Sequence, residues 1–337
     1  MAETTNPTAS NSSLQAKAVA ATLEVKGPSR SLMMDAWYRL LRNKAAVVGM
    51  FVIIFFTLIA IFAPLIAPHN PLKLNSGKDY LPPFWVERSL AGKAGTMDFP
   101  LGTDTLGRDV LSRVIYGARV SMVVGLIPTF IVLLVGTFIG LLAGYYGGNW
   151  DNFLMRLTDV IYAFPDLLLF IVVMVALRDT FLGTLFNGLF LLFAALSIVG
   201  WAGEARIVRG QVLSLKNNEF IEAARCIGAK DSRIMLKHIL PNTLGPIIIV
   251  AALGIPGMII TEATLGYLGL GMRPPTDPGA IFITSWGGLM LEGQTALNVQ
   301  PWMLLSPAIC VSIIVLAFTF LGDGIRDAFD PRLRGTM

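Results

Sequence analysis

Six apolar runs, separated by polar connections, organise the chain from residue 45 onward. The first, residues 45–67, carries no charge; as a helix it measures about 34 Å, enough to cross a hydrocarbon core of about 30 Å. The others are 120–143, 160–177, 181–201, 244–265 and 303–321. A backbone in lipid must satisfy its own hydrogen bonds, so these runs are read as helices. The predicted fold class is all-α, a polytopic membrane protein with about six transmembrane helices. The third run is short and contains Asp166, the fourth contains Asn187, and the connection between them is tight.

The segments between the runs have their own patterns. Residues 1–29 are rich in Ala, Ser, Thr and Asn without apolar periodicity, the signature of a disordered tail, and lack the basic and apolar regions of a signal peptide. Residues 30–67 join the first run to a lead-in, Trp37-Tyr38-Arg39-Leu40-Leu41-Arg42-Asn43-Lys44, whose aromatic and basic side chains suit a membrane interface. In residues 68–119, Pro68, Pro71, Pro82 and Pro83 keep the first half extended. In the second half Asp104 is the expected N-cap of a short interfacial helix, with Leu106, Val110, Leu111, Val114 and Ile115 on one face. Residues 120–325 form the transmembrane core, including a charged loop at 203–243, and residues 326–337 a second tail. Beyond the fifth run, glycines at 266, 269 and 271 and the pair Pro274-Pro275 lead into residues 272–301, a connection expected to dip back partway toward the bilayer.

Composition agrees. Of 337 residues 54% are hydrophobic and 14% charged, against about 25% charged in soluble domains. With both termini in the cytoplasm, the cytoplasmic segments hold 17 Lys and Arg residues and the outer ones nine, the sense of the positive-inside rule. Seven of those nine lie in 68–119 and oppose it. The basic residues are dispersed among the spans, which argues against a nucleic-acid footprint. Cys226 and Cys310 fall in a polar loop and an apolar run, so no disulfide is expected.

Catalytic signatures are missing. Gly77-Lys78 and Gly92-Lys93 are followed by Asp79 and Ala94 and do not make a phosphate loop. Two histidines, His69 and His238, stand apart from either cysteine, so no metal site is expected. No ATPase site, other enzymatic site or cofactor is expected on this chain. Asp166 and Glu262 are ionisable residues in apolar runs. Neither is central in its run, so pairing with neighbours or water outweighs contact with a solute, and solute-binding residues are left unassigned.

The richest stretch is Glu222 to Asn242, reading EAARCIGAKDSRIMLKHILPN. Asn218 can cap a helix whose first turn holds Glu219 and Glu222, where negative charge suits the helix dipole. Phe220, Ala223 and Ala224 offer a small apolar face. Gly228 sits where the helix ends. Asp231 can cap a second helix with Ile234, Met235 and Ile239, closed by Pro241. Glu222, Ala223, Ala224, Gly228, Leu240 and Pro241 stand at the spacing of the EAA loop of binding-protein-dependent ABC importers, which this stretch resembles. Further motifs follow in order: Leu40-Leu41-Arg42-Asn43-Lys44; Leu101-Gly102-Thr103-Asp104 with Gly107-Arg108-Asp109; Trp201 with Ala205-Arg206-Ile207-Val208-Arg209-Gly210; His238-Ile239-Leu240-Pro241-Asn242; and Leu268-Gly269-Leu270-Gly271 with Pro274-Pro275. Together they resemble the C-type permease subunits of dipeptide and oligopeptide importers over most of the chain. One departure is residues 276–284, which lengthen the gap before Ser285-Trp286-Gly287 and bear on the outer gate and the contact with a binding protein.

The resemblance implies a type I ABC importer permease in the inner (cytoplasmic) membrane, working by alternating access. Implied partners are a second homologous permease in a heterodimer, one or two ATPase subunits that bind the ATP, and an extracytoplasmic substrate-binding protein. The implied coupling residues are Glu222, Ala223, Ala224, Arg225, Gly228, Ala229, Ile239, Leu240 and Pro241. The alternatives are an importer of the same class carrying nickel or another small solute, and an ion-coupled secondary transporter. The latter predicts inverted repeats and centrally buried carboxylates.

Overall fold

The computed structural model describes residues 32–329, apart from 90, 91, 276 and 278. The expected tail at 1–29 and residues 330–337 lie outside the described residues. Five helices are long and apolar enough to cross a membrane, and six if one bent pair is a single span.

Helix α1 (Leu32–Arg42) leads into α2 (Lys44–Ile66), with Asn43 between them as N-cap, its side chain accepting from the Ala46 N–H at 3.2 Å. The lead-in motif lies across this junction, with Ala36 and Leu40 buried and Trp37 and Tyr38 half exposed.

The second long helix, α3 (Val110–Tyr146), is longer than its apolar run. The expected interfacial helix is therefore not a separate element: from Val110 its residues are the first turns of α3. The N-cap is Asp109, accepting from the Ser112 N–H at 3.0 Å, not Asp104. Asp104 precedes this in a turn, with its carboxylate fully buried.

The third run is also corrected. Residues 160–177 break at 163–165, and the amphipathic α4 (Gly148–Tyr162) meets α5 (Asp166–Leu177) at 83°. Pro165 denies its predecessor the helical conformation. A single turn, α6 (Phe181–Thr184), and a 3-10 turn with Phe186 and Asn187 at positive φ lead to α7 (Leu189–Leu215).

Helix α7 continues past Trp201 into what the sequence reading placed in a loop, because its charges are met by a neighbour. Arg209 donates two hydrogen bonds to Asp151 of α4 at 2.6 and 2.7 Å, and Arg206 pairs with Asp159 at 2.6 Å while its guanidinium lies over the Tyr162 ring. Along its length α7 packs on α3 through three glycines spaced by four. A Cβ at Gly136 would meet the Glu204 side chain at 2.5 Å, one at Gly140 the Ala205 carbonyl oxygen at 2.6 Å, and one at Gly144 Val212 at 2.7 Å. Small residues at this spacing let helix backbones approach closely.

After α8 (Glu219–Cys226), α9 (Asp231–Ile234) passes through a π turn at Met235–Ile239 into α10 (Leu240–Tyr267). Pro241 does not close the second helix as expected; the helix runs on through it from Asp231 to Tyr267, with the π turn lying directly before the proline. The side chains of Asn242 and Thr243 donate to the carbonyls of His238 and Leu240 at 2.6 and 2.9 Å.

Two helices complete the fold, α11 (Trp286–Thr295) and α12 (Trp302–Phe329). Trp286 is fully buried at the centre of the largest core, edge-on to Phe56, and its indole N–H donates to the Val114 carbonyl at 2.9 Å. The connection at 272–301 thus packs back among α2, α3, α10 and α12.

Candidate coupling surface and the opposite end

Helix α8 and the turn after it form a mounted platform. Ile221, Ala224, Ile234, Met235 and Ile239 are buried against Leu141 and Tyr145 of α3 and Val208 and Val212 of α7. The helix ends in a Schellman motif: the Ala229 N–H donates to the Ala224 carbonyl at 3.0 Å and the Gly228 N–H to that of Arg225 at 2.9 Å. Gly228 takes φ +79°, which L side chains rarely adopt. Asn218 occupies the N-cap, but its side chain makes no capping bond. Asp231 follows the cap of its helix, its carboxylate accepting from the Tyr145 hydroxyl at 2.6 Å, while the Arg225 guanidinium lies over the Tyr145 ring at 5.7 Å.

Burial sorts the nine residues implied as coupling positions. Ala224 and Ile239 face inward and fasten the platform, and Ala229 and Leu240 are half-buried. Glu222, Ala223, Arg225, Gly228 and Pro241 are exposed. Ala224 therefore does not belong to the outer face with Phe220 and Ala223 as expected. That face continues instead through Ile227, 86% exposed; Leu236, on the second arm, is 61% exposed. Phe220, Ala223 and Ile227 follow helical spacing, a signal available in the sequence. Phe220 is 42% exposed, so the three leave one apolar strip of α8 uncovered in this chain.

At the far end of α3, about 48 Å along the helix from Tyr145 to Arg113, the chemistry is ionic. Asp104 accepts from Arg108 Nε at 2.7 Å and Arg113 Nη1 at 2.6 Å. Glu292 of α11 accepts from Arg108 Nη2 at 3.0 Å and from Arg113 Nη1 and Nη2 at 2.5 and 2.8 Å. Arg113 and Asp104 are buried, so desolvation is offset only because every pairing is close. Asp109 and His69, 3.5 Å apart, stand beside this group, and the His69 N–H donates to Ser112 at 3.0 Å. The motifs at 101–109 thus fold a long connection onto α11. Glu292 stands so far along the chain from Asp104, Arg108 and Arg113 that no local pattern in the sequence points to this cluster.

The ionisable span residues separate. Asp166 is exposed in the first turn of α5. Glu262 is fully buried in α10; its Oε2 accepts from the Ser121 hydroxyl at 3.3 Å, while Oε1 has no hydrogen-bond partner. Glu204 was not anticipated: it is buried in α7 against Gly136, and neither carboxylate oxygen has a hydrogen-bond partner. Among the described residues no group of three potential metal ligands occurs.

The geometry joins several long apolar helices to an exposed two-armed turn. The family model described as "Binding-protein-dependent transport system inner membrane component" matches residues 136–335. The chain belongs to this family. A second model, "N-terminal TM domain of oligopeptide transport permease C", matches residues 31–83. The chain is 40% identical to the dipeptide transport system permease protein DppC of Bacillus subtilis (strain 168), covering 92% of this chain and 89% of that protein. It is 41% identical to the oligopeptide transport system permease protein OppC of Escherichia coli (strain K12), covering 93% and 94%. It is 37% identical to the glutathione transport system permease protein GsiD of Escherichia coli O6:K15:H31, covering 89% and 91%. A solved structure of the MetNI methionine ABC transporter aligns with a TM-score of 0.49 at 19% identity, over 66% of this chain and 96% of that one. The chain is an inner-membrane transport component.

Proposed function

We propose that this chain is the permease subunit of an ATP-driven type I importer that moves short peptides across the cytoplasmic membrane by alternating access. The observation that carries the reading is the platform at 219–241: seated by its buried side chains on α3, α7 and α10, with Phe220, Ala223, Ile227 and Leu236 exposed. Such a surface suits a partner ATPase that pushes on the spans. Energy then arrives through contact, and this chain conducts and couples without hydrolysing ATP. A second permease, the ATPases and an extracytoplasmic binding protein complete the assembly.

The test is Ala223→Glu. Ala223 is exposed, so the new charge leaves the fold intact, but buried at an interface it costs a few kcal/mol. Membrane abundance is expected to stay near wild type while tripeptide uptake and ATPase co-purification collapse. Uptake at the wild-type rate removes the platform from the mechanism. Orientation is tested separately by single cysteines at Ser214 and Ser76, both exposed, in a chain lacking Cys226 and Cys310. With the platform cytoplasmic, an impermeant reagent labels position 76 on intact cells and position 214 only after lysis.

A further inference from the structure

A cavity of about 190 Å³ lies between the end of α5, the chain following α10 and the start of α11. It is at the end of α10 opposite the platform. Two cations and one anion line it, Arg178, Arg273 and Glu292, together with the hydroxyl residues Thr284 and Ser285 and the backbone at Gly288. Arg273 is paired with the largely exposed Asp179 at 2.6 Å and also donates to the Arg178 carbonyl at 2.9 Å. Arg178 differs. Its guanidinium donates to the Gly269 carbonyl at 2.8 Å, and among the described residues it has no carboxylate partner. A guanidinium in a small cavity without a counter-ion is a receptor for a planar anion, because its fork matches a carboxylate. Glu292 on the same wall is held by Arg108 and Arg113 and remains 30% exposed. Its charge disfavours a second anionic group and suits a cationic one, so the fitting ligand carries one carboxylate and an ammonium group.

We propose that this cavity is a subsite for the C-terminal carboxylate of a short zwitterionic peptide, received by Arg178 with Arg273 beside it. The proposal rests on the peptide-import reading, and it assigns a solute contact to residues that carry no part of the coupling surface. The alternative source of the same chemistry is an acidic side chain of the binding protein.

The experiment uses the full chain in lipid nanodiscs, with trialanine and trialanine amide as probes at millimolar concentration and saturation-transfer NMR as the readout. Wild type is expected to bind the free acid about 10-fold more tightly than the amide, the discrimination of one charge-assisted contact. Arg178→Gln should abolish that preference and Arg178→Lys retain part of it. Gly288→Leu should weaken both peptides, since a Cβ there meets only Ser285 and Thr284 hydroxyls at 3.6 and 3.8 Å and a longer side chain fills the cavity. Equal binding of acid and amide by wild type, no binding of either, or an undiminished preference in Arg178→Gln overturns the subsite. So does a uniform fall in cellular uptake of both peptides by Arg178→Gln with nanodisc binding unchanged, which gives the carboxylate to the binding protein. Wild-type uptake is scored independently: its absence defeats peptide import, whereas its presence without any Arg178 dependence defeats only the subsite.

Discussion

Around Arg113 the molecule is closed by four charged side chains that face one another, whereas around Tyr145 it is closed by aliphatic packing and leaves Phe220, Ile227 and Leu236 in the open. Both ends belong to α3, so the same helix is fixed at one end and available at the other. An ion cluster is geometrically exacting: it holds one arrangement and penalises others. A platform seated on Ile221, Ala224 and Ile239 is held by packing, and its outer face carries exposed apolar side chains. Substitutions at the closed end should therefore destabilise the chain itself, and those at the open end should damage only what the chain does with others.

The largest effect is expected from Arg113→Met. Its methylenes still pack, but Asp104 loses one of two cations and Glu292 its bidentate contact. Breaking a buried pair in this way costs about 3–5 kcal/mol. Thermal unfolding in detergent and membrane abundance should both drop. Arg108→Met should cost less, because Arg108 is more exposed and leaves the Arg113 contacts in place. Equal losses would mean that the cluster works as a diffuse charge, not as a clamp centred on Arg113.

Next is the glycine seam that carries one end to the other. Gly140→Leu places atoms against the Ala205 backbone, which cannot yield as a side chain would, and overpacking of this kind costs about 1–3 kcal/mol. Gly210→Ala, at an exposed position inside α7 with nothing within 4 Å of the added Cβ, should stabilise by roughly 0.5–1 kcal/mol, since alanine holds a helix better than glycine. Similar melting curves for the two would show that α3 and α7 are looser than their packing indicates. At the platform, Gly228→Val must force a β-branched residue to φ +79°, costing on the order of 1–3 kcal/mol. Gly228→Asn, which tolerates this region, should retain much more of the fold and of uptake.

The open end was the more legible of the two in sequence. Its residues are contiguous, Gly228 marks its own turn, and the spacing from Glu222 to Pro241 is local. The spans were legible as apolar runs, but their ends were not. Arg206 and Arg209 looked like the edge of a loop and are held inside α7 by Asp159 and Asp151, partners visible only once α4 folds alongside. Asp104 looked like a helix cap because short-range rules describe it that way. Its buried role depends on Arg113 and Glu292, and pairing across so many residues leaves no local trace. Ala224 and Ala223 are equivalent by composition, and only the packing of Ile221 and Val208 decides which of them turns inward.

The smallest loss of stability and the sharpest effect on function should coincide at Ile227. Its side chain is 86% exposed and its backbone N–H already caps α8 by donating to the Ala223 carbonyl at 3.2 Å, so Ile227→Asp removes little that the chain itself uses. A loss of no more than about 1 kcal/mol is expected, the cost of a carboxylate at a helix C-terminus, where it opposes the dipole. If the platform meets the ATPase as proposed, the same substitution sets a carboxylate in an apolar contact beside Phe220 and Ala223. Uptake and ATPase retention should then fall together while abundance holds and the melting temperature drops only slightly. Ile227→Leu, which keeps the apolar surface, should restore both. If Ile227→Asp transports normally, the open face is not where the partner sits; if it melts early, the platform end is no more open than the other, and the contrast between the two ends of α3 fails.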